Sequence, residues 1–397
     1  MSAREFRSAG HTPSLVAALL HFDVSFMVWV LLGALGAYIS KDLGLTPFQK
    51  GLMVAVPPLG GAAFRLILGS IADRAGMKRT GVVSMGLTLV PLCWGWLAGD
   101  TYAQVLGIGL LLGIAGASFV VALPLVSRWY PPEQQGLALG IAGAGNSGTL
   151  IAALVAPRLA EHVGWHGVFG LAAIPVALVW VAFALLAKEP PRPAAGAGGV
   201  LSVLVEPDAR WLCAFYMVSF GGFVGLSGYL PIFFVDRFGL SKVTAAGFAA
   251  LCASAGSFLR PLGGWLADRL GGTSVLLGVL VLVAGLAGSL ATLPPLALTT
   301  ALLFAMLGAL GTANGAVFQL VPLRFPERVG SVTGLVGAAG GVGGFLIPFG
   351  LGSLQDITGT FALGFVVYAV VAGMAAWAML GRQRVWRSNW ALETVTI

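Results

Sequence analysis

The hydrophobic and polar positions divide the chain into twelve long apolar runs separated by short polar breaks. A helix needs about 20 apolar residues to cross the hydrocarbon core of a bilayer, and each run is close to that length. In the first half the expected spans are about 14–39, 50–72, 80–98, 103–127, 136–158 and 166–187. In the second half they are about 211–235, 243–267, 273–292, 297–323, 330–354 and 361–381. Between the halves lies KEPPRPAAGAGG, from Lys188 to Gly199, whose Pro, Ala and Gly content reads as a flexible linker. The residues after it, to Arg210, are expected to form a surface helix. The expected organisation is a six-helix bundle over 1–187, a cytoplasmic linker over 188–210, and a second six-helix bundle with a short cytoplasmic tail over 211–397. The first 13 residues are polar and lack a signal-peptide pattern, so the first apolar run is expected to stay in place as a span.

Composition sharpens this reading. Hydrophobic residues make up 58% of the chain and charged residues 9%, the balance of an all-α, multi-pass membrane protein. The 58 glycines suit helices that approach closely within a bilayer. The net charge of +7 does not read as nucleic-acid binding, because the basic residues are loop charges. An even number of spans puts both termini on one side, and 15 of the 22 basic residues fall on that side. The positive-inside rule then makes both termini cytoplasmic. Cys93, Cys213 and Cys252 sit in apolar segments without metal spacing, and the four histidines form no ligand pattern. No cofactor or metal is expected. No nucleophile–base arrangement points to an enzyme.

Two of the basic residues lie inside the spans. Arg65 stands in GGAAFRLILGSIADRAGMKR, eight residues ahead of Asp73, or about 12 Å of helix. Arg260 stands in SFLRPLGGWLADRLGG, eight residues ahead of Asp268. One offset of 195 residues relates Arg65 to Arg260, Asp73 to Asp268, Arg74 to Arg269, Pro131 to Pro326 and Gly145 to Gly340. A guanidinium cannot shed its charge, and placing one deep in a bilayer costs roughly 3 kcal/mol or more. Two at equivalent positions of a repeat suggest an anion site. The structural alternative is a pair of arginines bonded to backbone carbonyls.

The fifth span contains GIAGAGNSGTLIAAL, and the eleventh contains GLVGAAGGVGGFLIPFG. Close packing explains the glycines of both, but not Asn146, an amide that needs a partner in hydrocarbon. The parallel repeat and the DRAGMKR loop resemble the major facilitator superfamily. The paired arginines and the AGxGNxG core of the fifth span, Ala142 to Gly148, resemble its nitrate/nitrite porters, and the resemblance covers essentially the whole chain. It implies that Arg65 and Arg260 grip a planar anion, supported by Asn146 and by a tyrosine of the seventh span, carried over here as Tyr229. It also implies aromatic rings over the faces of the anion, carried over as Phe233 and Phe119. The helix 1 pattern around Asp23 looks like that of the proton-linked branch.

The residues themselves point the same way. Guanidinium is a flat donor fork that suits flat oxyanions. Tyr229 and Phe233 are four residues apart and share a helix face. Phe119 is also one of 23 phenylalanines that could simply fill core. Asp23, in HFDVSFMVW, is the acid expected inside the bilayer and the candidate for proton coupling, its structural alternative being a salt bridge to a nearby Arg or Lys. Asp73 and Asp268 are expected to make cytoplasmic closing contacts with helix ends or with Arg128 and Arg324. The expected protein is a monomeric carrier working by alternating access, with nitrate, nitrite and protons as its partners. Proton-coupled uptake is the leading mode and nitrate/nitrite antiport the runner-up. An organic-anion exchanger is the rival within transport, but it should carry more intramembrane basic residues than two.

Overall fold

The structure is a computed structural model that describes residues 9–190, 200–325 and 328–389. Most of the expected linker, Pro326 and the end of the tail lie outside the described residues. The chain is all-helical, and it belongs to two compact units. One holds the described residues up to Leu43 together with Val56 to the linker. The other holds Gly44–Ala55 and the residues from Val200 onward.

Among the described residues, eleven helices are long and apolar enough to cross a membrane. The difference from the twelve expected spans has a simple source. The fifth candidate, Ala138–Leu186, is 49 residues long, or roughly 70 Å at 1.5 Å per residue, about twice what a bilayer needs. Its backbone leaves helical geometry at Gly164, with φ 69° and ψ 168°. That glycine falls in the expected break between the fifth and sixth spans, so the long helix is two spans joined at a kink. Other bounds shift by a few residues. The first span runs Thr12–Trp29, Leu31–Ala34 and Gly36–Asp42, with ψ near zero at Val30 and Leu35. Hydrogen bonds cross both joints, from Ala34 N–H to Val30 O and from Ile39 N–H to Leu35 O. The twelfth helix continues from Ala362 to Asn389. In place of a surface helix before Arg210, the chain makes a 3₁₀ turn over Val200–Val205 and starts the seventh span at Pro207.

The surface is that of a protein solvated by lipid. Val83, Leu178, Val281 and Trp377 are each more than half exposed on long apolar helices, the reverse of a water-soluble pattern. The interior is closed by small residues. A side chain on Gly60 would run into the Leu110 carbonyl, and one on Gly113 into the backbone of Gly60. The second and fourth spans therefore touch backbone to backbone.

The sequence repeat is also a packing repeat. A Cβ at Gly145 would come within 2.8 Å of the Phe22 ring, and one at its counterpart Gly340 within 2.6 Å of the Tyr216 ring. Gly148 lies on the Asp23 carbonyl and Gly343 on that of Met217. So the glycine-rich fifth span seats on the first, and the eleventh on the seventh, through residues 195 apart. Replacing Gly113 with valine should push the second and fourth spans apart. The expected loss is about 1–3 kcal/mol, read as a lower unfolding temperature in detergent, whereas alanine at Gly69, which has open space beside it, should not lower that temperature.

Candidate functional site

In the first unit the site is built around Arg65, which is 3% exposed. Its Nε donates to the Gly116 carbonyl at 3.1 Å. That carbonyl is available because the fourth span loosens there. The helix Tyr102–Gly116 ends, Ala117 and Ser118 form a turn, and Phe119–Ser127 resumes. The Val120 N–H, which would close an α-helical bond on Gly116, bonds Ala117 O at 3.1 Å instead. The same break brings in Phe119, whose ring centroid lies 5.8 Å from the Arg65 guanidinium carbon. Trp29 is 5.4 Å away. Its indole N–H is fixed on the Pro57 carbonyl at 2.9 Å, and Gly61 and Gly116 leave room for its rings. Carbonyl and ring faces orient a guanidinium without cancelling its charge.

Asn146 occupies a 3₁₀ turn, Ala144–Ser147, set between two α-helical stretches of the fifth span. The turn lies against the first span through Gly145 and Gly148. Next to Asn146, the Ser147 hydroxyl bonds Asp23 Oδ1 at 2.6 Å. Among the described residues no ion pair reaches Asp23, and its partner there is a hydroxyl, not a basic side chain.

In the second unit Arg260 is half-buried. Its Nη2 donates to the Tyr216 hydroxyl over a long 3.4 Å, and its guanidinium lies 5.4 Å from the Phe318 centroid. Tyr216 stacks on Phe220 with centroids 4.9 Å apart and planes 8° apart, and Phe318 meets Tyr216 edge-on at 5.0 Å.

This corrects the carry-over on the seventh span. Tyr229 bonds Gln355 at 3.2 Å, and Phe233 sits in an aromatic cluster with Phe234, Phe361 and Phe365. Tyr229 is about 20 Å along the helix from Tyr216 at 1.5 Å per residue, beyond the reach of Arg260. The sequence holds the same tyrosine–phenylalanine spacing twice, and the pair beside Arg260 is Tyr216 and Phe220. Trp29 and Phe318 are further neighbours of the arginines that sequence reasoning passed over.

The outlying charges divide. Arg128 pairs with Asp73 at 3.3 Å, as expected. Arg324 does not pair with Asp268. Its Nε bonds Asp208 at 2.6 Å, and the other Asp208 oxygen accepts from the Trp386 indole at 2.8 Å. Asp268 is exposed at its helix end. The loop after Asp73 has its own tie. Gly76 takes φ 100°, and the Glu189 carboxylate then accepts from the backbone N–H groups of Met77 and Lys78 at 2.6 and 2.9 Å, capping the third span where its dipole favours negative charge.

Comparison with known proteins places this arrangement. Residues 17–348 match the Major Facilitator Superfamily. A protein of Bacillus subtilis named nitrite extrusion protein is 34% identical over 362 residues, covering 89% of this chain and 90% of its own. A probable nitrate/nitrite antiporter, NarK1, of Thermus thermophilus is 32% identical, covering 90% of this chain and 88% of its own. A probable nitrate transporter, NarT, of Staphylococcus epidermidis is 29% identical, covering 92% and 95%. Among solved structures, a bacterial homologue of the human lysosomal transporter Spinster shares the fold, with a TM-score of 0.73 at 18% identity over 93% of this chain and 96% of its own. The chain therefore belongs to the Major Facilitator Superfamily, in the same family as these nitrate and nitrite transporters.

Proposed function

We propose that this protein carries nitrate, with nitrite as a second substrate, across the bacterial inner membrane by alternating access. It is a transporter and not an enzyme. The observation that carries the reading is Arg65, a permanent cation buried in a spanning helix beside Trp29, Phe119 and the Gly116 carbonyl. Such a charge suits a small, weakly hydrated anion with a flat edge. In the second unit, Arg260, with Tyr216 and Phe318, is the equivalent cation offered to the anion. Asn146 supplies an amide hydrogen bond to the anion. The names and coverage of the relatives support the same substrates.

Uptake coupled to protons is the proposed mode, with Asp23 as the proton carrier. The bond to Ser147 supports it, because a hydroxyl can donate to a carboxylate or accept from a carboxylic acid. The bond survives either state of the carboxyl. Nitrate/nitrite exchange is the second reading. It is favoured by the relative named as an antiporter and by the cost of cycling an unloaded carrier whose spans hold two permanent cations. Both termini, and the ends of the spans at Asp73 and Arg128, are assigned to the cytoplasm by the distribution of basic residues. The Asp73–Arg128 pair and Asp268 lie in the gate on that side, the working unit is a single chain, and 1–187 and 211–397 are its bundles.

Three measurements bear on these assignments. Arg65→Lys should abolish nitrate-dependent thermal stabilisation, since a point charge cannot replace the fork; retained stabilisation would count against Arg65 as an anion ligand. Tyr216→Phe should weaken nitrate about tenfold, the worth of one hydrogen bond at a charged group, while Tyr229→Phe leaves nitrate affinity unchanged; the opposite ranking would restore Tyr229 to the site. Asp23→Asn should remove uptake driven by a proton gradient in vesicles yet spare exchange against internal nitrite. An unchanged response to the gradient would favour the antiport reading.

A further inference from the structure

The second unit contains a buried amide that the functions assigned so far do not use. Asn314, on the tenth span, is 1% exposed, and among the described residues its Oδ1 has no hydrogen-bond partner. A buried acceptor left unmade costs about 1–3 kcal/mol, so the position calls for a donor. Three observations say which donor is at hand. Asn314 lies four residues before Phe318, on the same helix face, and the Arg260 guanidinium lies over Phe318. Gly315, the next residue, packs on the carbonyl of Arg260 itself. The 195-residue offset, which maps Arg65 onto Arg260, maps Phe119 onto Asn314, and Phe119 is a ring against which Arg65 rests. Where the first unit puts a ring beside its arginine, the second puts an amide. Arg260, for its part, has five N–H donors and, among the described residues, one hydrogen bond of 3.4 Å.

We propose that Asn314 is a positioning residue for Arg260: its Oδ1 accepts a hydrogen bond from the guanidinium when anion is bound, aiming the remaining N–H groups at the oxyanion. Tyr216 holds the side chain in the state described here, and Asn314 is its second resting point. The proposal rests on the reading of the protein as a nitrate carrier. It adds a residue to the site and a reason why the two arginines have unequal surroundings.

The test replaces Asn314 by aspartate and by leucine in the full-length protein, and measures nitrate-dependent stabilisation and the KM and maximal rate of nitrate uptake. Aspartate has the shape of asparagine and adds a charge. Beside Arg260 it forms an ion pair, so the unliganded protein should unfold at a higher temperature while nitrate affinity falls at least tenfold. Leucine removes the amide without adding a charge, and should raise KM severalfold with little change in maximal rate. If Asn314→Asp lowers the unliganded unfolding temperature, or does not fold, the carboxylate has no cation beside it and the proposal is wrong. It is equally wrong if both variants bind nitrate like the unaltered protein. If the unaltered protein itself is not stabilised by nitrate, the substrate assignment fails instead, while the sign of the aspartate shift without nitrate still reports whether Asn314 adjoins Arg260.

Discussion

A cation that cannot be neutralised, set inside a low-dielectric helix bundle, is the constraint on which this structure turns. Arg65 would be intolerable on a lipid-facing surface, and the fold meets it with a made-to-measure socket. The socket requires a carbonyl withdrawn from the α-helical ladder, so the fourth span breaks after Gly116. It requires ring faces at the right height, so Phe119 follows the break and Trp29 is fixed on Pro57. It requires space for those rings, so Gly61 and Gly116 carry no side chains. Each local irregularity can be traced to the needs of one side chain.

Much of this was legible in the residues. The twelve apolar runs, the offset of 195 and the placement of Arg65, Arg260, Asn146 and Asp23 within spans all follow from periodicity and repetition. The glycines of the fifth and eleventh spans were readable as packing residues, and Gly145 and Gly340 do pack on rings of the first and seventh spans. The charge pair Asp73–Arg128 was readable as well, while its copy was not. Asp208 competes for Arg324 at shorter range, and the repeat alone cannot say that a carboxylate from another helix end will arrive first.

The carry-over to Tyr229 shows where pattern reading fails. Spacing of four residues identifies a shared face but says nothing about depth in the membrane. Depth follows from hairpin geometry. The seventh and eighth spans join at Gly239–Ser241, so residues equally far from about 240 lie side by side. Arg260 then lies level with about 220, next to Tyr216 and Phe220, and not with 229 or 233. The contact of Phe234 with Phe248, near the turn, obeys the same rule. Trp29 escaped notice for a different reason, since a tryptophan near the middle of an apolar run carries no sign that it differs from other core aromatics.

The carboxylates of the protein illustrate how a partner determines what an acid can do. Asp208 is gripped by the Arg324 guanidinium and the Trp386 indole. Both are donors only, so protonating that carboxyl would forfeit an ion pair and leave a charge uncompensated. Asp23 has a hydroxyl at 2.6 Å, which exchanges the roles of donor and acceptor by rotating one O–H bond. Taking up a proton there rearranges a hydrogen bond without breaking one. An acid that must titrate on every transport cycle needs an indifferent neighbour of this kind, and an acid that must hold two helix ends together needs the opposite. Asp23 has a neighbour of the first kind and Asp208 neighbours of the second, and what each acid can do follows from the side chains it faces.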